Sequence, residues 1–310
     1  MKTLTANGIT IAYDDFGDMR AEPILLIAGL GTQMIRWTSP FCAALVARGY
    51  RVIRFDNRDA GGSTHFSTHP APDFGALATA LMAGGRPDVP YTLHDMAGDT
   101  VGLMDALAIP RAHLVGRSMG GMIAQVVASA HPDRALSLTS IMSSTGNPQL
   151  PQAAPDVMAM LTRPMPDPSV DIEGYLDRAQ TFAQRITGLD YPIDVAAYRA
   201  LVREEVRRAY DPAGFARQIA AIAITGDRRA ALAAITAPTL VIHGADDPLI
   251  PPACGADTAA AIPGAEFMVI DGMGHDLPAA VEPRIADAIV RTAQRGSRLP
   301  VTALALLGRV

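Results

Sequence analysis

The pentapeptide Gly116-Arg117-Ser118-Met119-Gly120 constrains this chain more than any other feature. Before it, Arg111-Ala112-His113-Leu114-Val115 ends in a strand-like apolar run. After it, Gly121-Met122-Ile123-Ala124-Gln125-Val126-Val127-Ala128-Ser129-Ala130 reads as a helix. A serine squeezed into a sharp strand-to-helix turn adopts a strained backbone and projects its hydroxyl into the open. Any Cβ at the flanking glycines would crowd that turn. The serine is therefore a nucleophile candidate, and a parallel α/β sheet is the architecture that supplies such a turn.

A nucleophilic serine needs a base, and the base needs an orienting acid. Both candidates follow in order. Pro238-Thr239-Leu240-Val241-Ile242-His243 reads as a strand and runs into Gly244-Ala245-Asp246-Asp247-Pro248. Ala265-Glu266-Phe267-Met268-Val269-Ile270 is a second strand and runs into Asp271-Gly272-Met273-Gly274-His275. The acid and the base each fall just after a strand, where a parallel sheet presents one edge. The order Ser, Asp, His differs from the chymotrypsin and subtilisin orders. The spacing Gly-x-x-Asp favours Asp247 over its neighbour Asp246. His243 precedes the glycine and reads as a packed histidine at a strand end. His275, next to Gly274, is the better base. For His65, His69, His94, His113 and His131 the sequence offers no acid partner.

The rest of the chain alternates strands and helices. Residues 8–13, 23–28, 50–55 and 136–142 read as strands, the second continuously apolar as in the middle of a parallel sheet. Residues 41–48 and 93–107 read as helices. After 142 the character changes: 146–168 is dense in Pro, Asn, Gln and Asp, and helix-like stretches follow at 171–187, 194–210 and 212–222, without a convincing strand. A βαβα pattern interrupted by helices and then resumed predicts a mostly parallel, doubly wound sheet with an inserted helical cap. The expected division is a core of 1–145 and 236–310 and a cap of 146–235.

These residues carry a resemblance. Asp14-Asp15-Phe16-Gly17-Asp18, Arg51-Val52-Ile53-Arg54-Phe55-Asp56-Asn57-Arg58-Asp59-Ala60-Gly61-Gly62-Ser63, the serine turn and Gly272-Met273-Gly274-His275 together resemble the α/β-hydrolases, and more narrowly the esterases grouped with aclacinomycin methylesterase. The resemblance spans about 1–145 and 236–296. It implies an α/β-hydrolase fold and an ester hydrolase with Ser118 as nucleophile, His275 as base and Asp247 as orienting acid. It also implies an oxyanion hole made by the backbone N–H groups of Met119 and Leu30, the latter in Gly29-Leu30-Gly31. The family often has Asp-x-Arg-Gly after the third core strand. Here Asp59 stands where that glycine would be, which puts the local turn geometry in question. Asp56 reads as a residue that holds loop backbone together.

Net charge of −5 argues against a nucleic-acid partner. No run is long and apolar enough to span a bilayer, and the first strands do not read as an export signal. A cytoplasmic location and a small-molecule ester as the only partner are the expectation. Oligomeric state is left open. Cys42 and Cys254 lack metal spacing, so no metal and no cofactor are expected. Met142, Met158 and Met160 are candidates for an acyl pocket. Gly29-Leu30-Gly31-Thr32-Gln33-Met34 imitates a dinucleotide fingerprint, but Met34 replaces its third glycine and no acid ends a strand about 20 residues on. Two alternatives stay open: C–C, amide or perhydrolysis chemistry by the same three residues, or a slow-turnover ligand-binding protein on the same fold. The apolar stretch 299–307 is expected to pack on the body or to lie disordered.

Overall fold

The computed structural model describes residues 1–85 and 87–298; the stretch 299–307 lies outside them. The strands are β1 Lys2–Ala6, β2 Ile9–Phe16, β3 Pro23–Ile27, β4 Arg51–Phe55, β5 Ala112–Arg117, β6 Ala135–Ile141, β7 Thr239–Gly244 and β8 Glu266–Ile270. The helices are α1 Ser39–Val46, α2 Phe74–Met82, α3 Leu93–Ala106, α4 Met119–Ala130, α5 Pro155–Thr162, α6 Ile172–Ile186, α7 Val195–Arg208, α8 Pro212–Thr225, α9 Arg229–Leu232, α10 Pro252–Ala261 and α11 Glu282–Ser297.

The strands form one sheet in the order β1-β2-β4-β3-β5-β6-β7-β8. β2 runs antiparallel to both β1 and β4, and every other neighbouring pair is parallel. The mostly parallel sheet expected from sequence is thus the observed one. Its central strands are covered on both faces, which is why they read as unbroken apolar runs. The period of two decides which side chain goes where. Leu25 and Ile27 enter a core shared with α3 and α4. Ile24 and Leu26 enter a second core packed by α1 and α11. All four are fully buried, and each contributes roughly 1.5–3 kcal/mol relative to exposure.

The strand order reverses between β3 and β5, so the loops after these two strands diverge. In such sheets that crevice is where ligands are held. It carries Gly29-Leu30-Gly31 on one side and Ser118 on the other.

The stretch 146–235 contains α5 to α9 and no strand. Asp171, Asp194 and Asp211 cap α6, α7 and α8 by accepting backbone N–H groups with their side chains. The Pro- and Asn-dense stretch after 146 contains a helix that the sequence reading lacked, α5, with Pro155 at its first turn, where a missing N–H costs nothing. α2, of which only Leu77 is buried, is a further helix beyond those expected from sequence. Among the described residues no helix is long and apolar enough to cross a membrane.

Candidate active site

Ser118 sits between β5 and α4 at φ 53°, ψ −123°. This backbone region is costly for a residue with a Cβ, about 1–3 kcal/mol, and it persists because its surroundings fix it. Ser118 N–H donates to Ile141 O at 2.9 Å, and Ser143 Oγ donates to Ser118 O at 2.8 Å. The glycines are needed for close approach. A Cβ at Gly116 would overlap the Gly120 carbonyl, and one at Gly120 would overlap Ile27 O and lie 2.6 Å from Ala28 O. The half-buried serine is therefore held where β5 ends and the loop after β3 passes.

The loops after β7 and β8 bring Asp247 and His275 together. His275 Nδ1 lies 2.7 Å from Asp247 Oδ2, so Nδ1 carries the proton in the neutral ring and Nε2 is left as the acceptor. Asp247 is 4% exposed whereas Asp246 is exposed. Asp247 Oδ1 accepts from Leu249 N at 2.9 Å and Ile250 N at 2.8 Å. Burial pushes this carboxyl up, but His275 and His243 beside it outweigh that and hold it down to about 2. Asp246 contributes only its backbone N–H, to Met273 O.

His243 is the packed histidine that the sequence suggests, and it also touches the acid loop. Its Nε2 donates to Ile250 O at 2.8 Å and stands 3.4 Å from Asp247 Oδ2. Among the described residues its Nδ1 is buried without a partner.

The loops after β3 and β5 meet closely, since a Cβ on Gly29 would come within 3.3 Å of Ser118 Cβ. Among the described residues, neither Leu30 N–H nor Met119 N–H has a protein acceptor. Met119 opens α4, where the helix dipole adds positive character. Asp56 holds loop backbone as expected: it is fully buried and accepts from Met34 N at 2.6 Å and Gly62 N at 2.9 Å. It also pairs with Arg208 at the end of α7, a partner too distant in sequence to foresee.

Two other expectations need correction. Asp59 does adopt the left-handed φ of 64° that a glycine would favour, yet its carboxylate has a task no glycine could perform. It pairs with Arg217 of α8 through two 2.8 Å contacts and accepts from Tyr91 Oη at 2.5 Å. His65 does have an acid partner, Asp211, at 3.0 Å, and His113 lies 3.3 Å from Glu22. Of the methionines proposed for an acyl pocket, Met142 is buried in the core packed by α1 and α11, and Met158 is 42% exposed.

Asp59, His65 and Asp211 lie close enough to ligate a metal. The Arg217 guanidinium already bonds Asp59 and Asp211, so that cluster holds a cation of its own.

Helices of the stretch 146–235 contact the loops after β8 and β3. Gly274 N and His275 N donate to Thr187 O and Ile186 O at the end of α6. Gln33 Nε2 donates to Glu205 O and Ala209 O at the end of α7, and Arg36 forms a bidentate pair with Glu205.

A family model described as alpha/beta hydrolase fold matches residues 22–278. The chain is 30% identical to rhodomycin D methylesterase DnrP of Streptomyces peucetius, over 93% of this chain and 96% of the relative. It is 33% identical to a putative carbamate hydrolase, RutD, of Variovorax paradoxus (strain S110), over 85% and 88% respectively. Among solved structures, the enol-lactonase of Burkholderia xenovorans LB400 superposes with a TM-score of 0.69 at 27% identity, covering 96% of this chain and 100% of the other.

Proposed function

The chain belongs to the alpha/beta hydrolase fold family, and on that premise we propose that it is a serine carboxylic-ester hydrolase acting through an acyl-enzyme. The observation that carries the reading is the 2.7 Å Asp247–His275 contact, formed at the same sheet edge that holds Ser118 in its strained turn. Ser118 Oγ attacks the ester carbonyl carbon while His275 Nε2 takes its proton. The oxyanion accepts from Leu30 N–H and Met119 N–H. The tetrahedral intermediate collapses, and His275 returns the proton to the leaving alcohol. Water, deprotonated by the same imidazole, then attacks the acyl carbon; the bond to Ser118 Oγ breaks as His275 returns that proton to the serine, and the acid is released.

Asp247 stays ionised throughout, fixing the tautomer and stabilising the imidazolium. Its Oδ1 is saturated by two backbone N–H groups and its Oδ2 faces the two histidines, so it has little freedom to rotate. Each oxyanion donor is worth about 3 kcal/mol in the transition state. In this reading 146–235 is a cap over the site. The substrate is a small to medium, mostly apolar ester. The methylesterase relative makes a natural-product methyl ester the first class to screen.

The likeness to the carbamate hydrolase favours a second reading, cleavage of a carbamate by the same residues. Hydrolysis of p-nitrophenyl acetate, butyrate and octanoate by wild type and Ser118→Ala tests the first. Turnover that disappears in the variant is expected, with the chain-length preference sizing the pocket. Undiminished turnover in Ser118→Ala would sink the serine mechanism. A carbamate turned over faster than the matching ester would favour the second reading.

A further inference from the structure

The loop after β3 makes a turn from Gly29 to Thr32, and each of its peptides but Leu30–Gly31 is held by a neighbour in the loops after β3 and β4. Ala28 O accepts from Asn57 Nδ2 at 2.9 Å. Gly29 O accepts from Thr32 Oγ1 at 3.0 Å and Thr32 N at 3.3 Å. A trans peptide points its N–H opposite its carbonyl, so this closure aims the Leu30 N–H away from the turn.

Gly31 has φ 63°. A turn with a left-handed third residue is distinguished from the common alternative by the orientation of its central peptide, here Leu30–Gly31. The contact that holds that peptide comes from the inserted segment. Gln218 of α8 accepts the Gly31 N–H on Oε1 at 2.7 Å and donates from Nε2 to Arg58 O at 2.8 Å. The amide is fully buried, and its orientation follows from having a donor on one side and an acceptor on the other. The Arg58 carbonyl is a firm reference, because the Arg58 side chain is locked to buried Asp99 through two 2.6 Å bonds. One helical turn away, Phe215 packs so closely on Gly31 that a Cβ there would overlap its ring.

We propose that Gln218 is a positioning residue for the oxyanion hole: an amide from the inserted segment that fixes the turn presenting the Leu30 N–H, so that the hole is complete only when α8 is seated. The inference rests on the oxyanion reading of Leu30 given above. Electrostatic stabilisation of a transition state depends on donors fixed before the reaction. Gln218 touches no reacting atom; it acts through the Gly31 peptide.

The test compares Gln218→Met and Gln218→Glu with wild type. The readouts are kcat and KM for p-nitrophenyl butyrate, and inhibition by a trifluoromethyl ketone of the same chain length, whose adduct on the serine places an oxyanion in the hole. Methionine fills the volume but neither accepts nor donates usefully. It is expected to leave KM within about twofold, to lower kcat roughly 10- to 100-fold, part of the loss from deleting a donor outright, and to weaken the ketone by the same factor. Glutamate accepts from Gly31 in either state but donates to Arg58 O only when protonated. Gln218→Glu should therefore regain activity relative to wild type as pH falls, and it carries the test if the methionine variant does not fold.

Unchanged kcat and ketone affinity, a rise in KM alone, or a Gln218→Glu to wild-type ratio independent of pH would each overturn the proposal. Ser118→Ala separates the two levels. If it is inactive while Gln218→Met behaves as wild type, only this proposal fails. If Ser118→Ala stays active, the serine reading fails.

Discussion

Replacing Asp59 by glycine restores what the family often has at this position, and it should nevertheless weaken the protein. Two effects oppose each other. Asp59 sits at φ 64°, and relieving a left-handed residue of its Cβ stabilises by about 1 kcal/mol. Against that, the Asp59 and Arg217 side chains are 0% and 1% exposed. Removing one partner of a buried pair costs about 3–5 kcal/mol, because a charge is left uncompensated. Arg217 keeps Asp211 at 2.8 Å and the His69 carbonyl at 2.7 Å, which places the cost at the low end, near 3 kcal/mol. The net expectation for Asp59→Gly is a loss of about 2 kcal/mol, or a melting temperature lower by about 4 °C in a chain of this size.

The sign with pH follows from the same contacts. Burial raises the Asp59 carboxyl, but Arg217, Tyr91 and the Phe66 N–H prevail and hold it below the usual range. A depressed carboxylate contributes stability above its ordinary value that is lost as pH falls, so the gap between wild type and variant should close in acid. Adding Arg217→Met removes the orphaned charge and should recover part of the loss. Calorimetric melts of the three proteins at pH 7 and below pH 3, under the ordinary carboxylate value, are the assay. Asp59→Gly melting at or above wild type at pH 7 would refute the reasoning, since backbone strain would then outweigh the ion pair.

Three further expectations follow from the site and core. With Asp247 held down to about 2, its contribution, about 2 kcal/mol, should be complete above pH 4 and fade toward pH 2; urea titrations should show the stability gap to Asp247→Asn shrinking over that window, and a constant gap would contradict it. Gly120→Ala would push a methyl into Ile27 O, spreading the elbow from the loop after β3; kcat should drop at least about 100-fold with a loss of about 1–3 kcal/mol, and a variant with normal kcat would show the close approach to be dispensable. Both cysteines are free and buried, and burial pushes the Cys42 thiol up to about 11; a thiol-reactive disulfide reagent should titrate neither in the folded protein and both in denaturant, so a fast-reacting thiol in the native state would be the contrary result.

What the sequence could show was what it encodes locally. The serine turn is legible because its glycines and flanking runs are contiguous. Asp247 and His275 are legible because each follows a strand directly, and the alternation of apolar runs predicts the sheet. Contacts between distant segments left no such mark. Asp59 looks like a defect in the sequence because the helix that supplies Arg217 lies far along the chain. His65 looks alone for the same reason, its partner Asp211 being the N-cap of that helix. Gln218 gives no sequence signal, since a glutamine in a helix is unremarked until the loop it clamps is seen. The helix α5 is not legible in the sequence because the prolines around it mask a short apolar pattern. Local chemistry was thus readable, and the docking of the inserted segment onto it was not.

The most direct test of the central claim is pre-steady-state release of p-nitrophenol from p-nitrophenyl butyrate, with intact-protein mass spectrometry of the quenched reaction. An acyl-enzyme mechanism predicts a burst approaching one product per active site and a butyrylated protein with the label on Ser118, both missing from Ser118→Ala. Turnover without a burst would leave the mass spectrum to decide, and an acyl group mapped to any other residue, or full turnover by Ser118→Ala, would contradict the account.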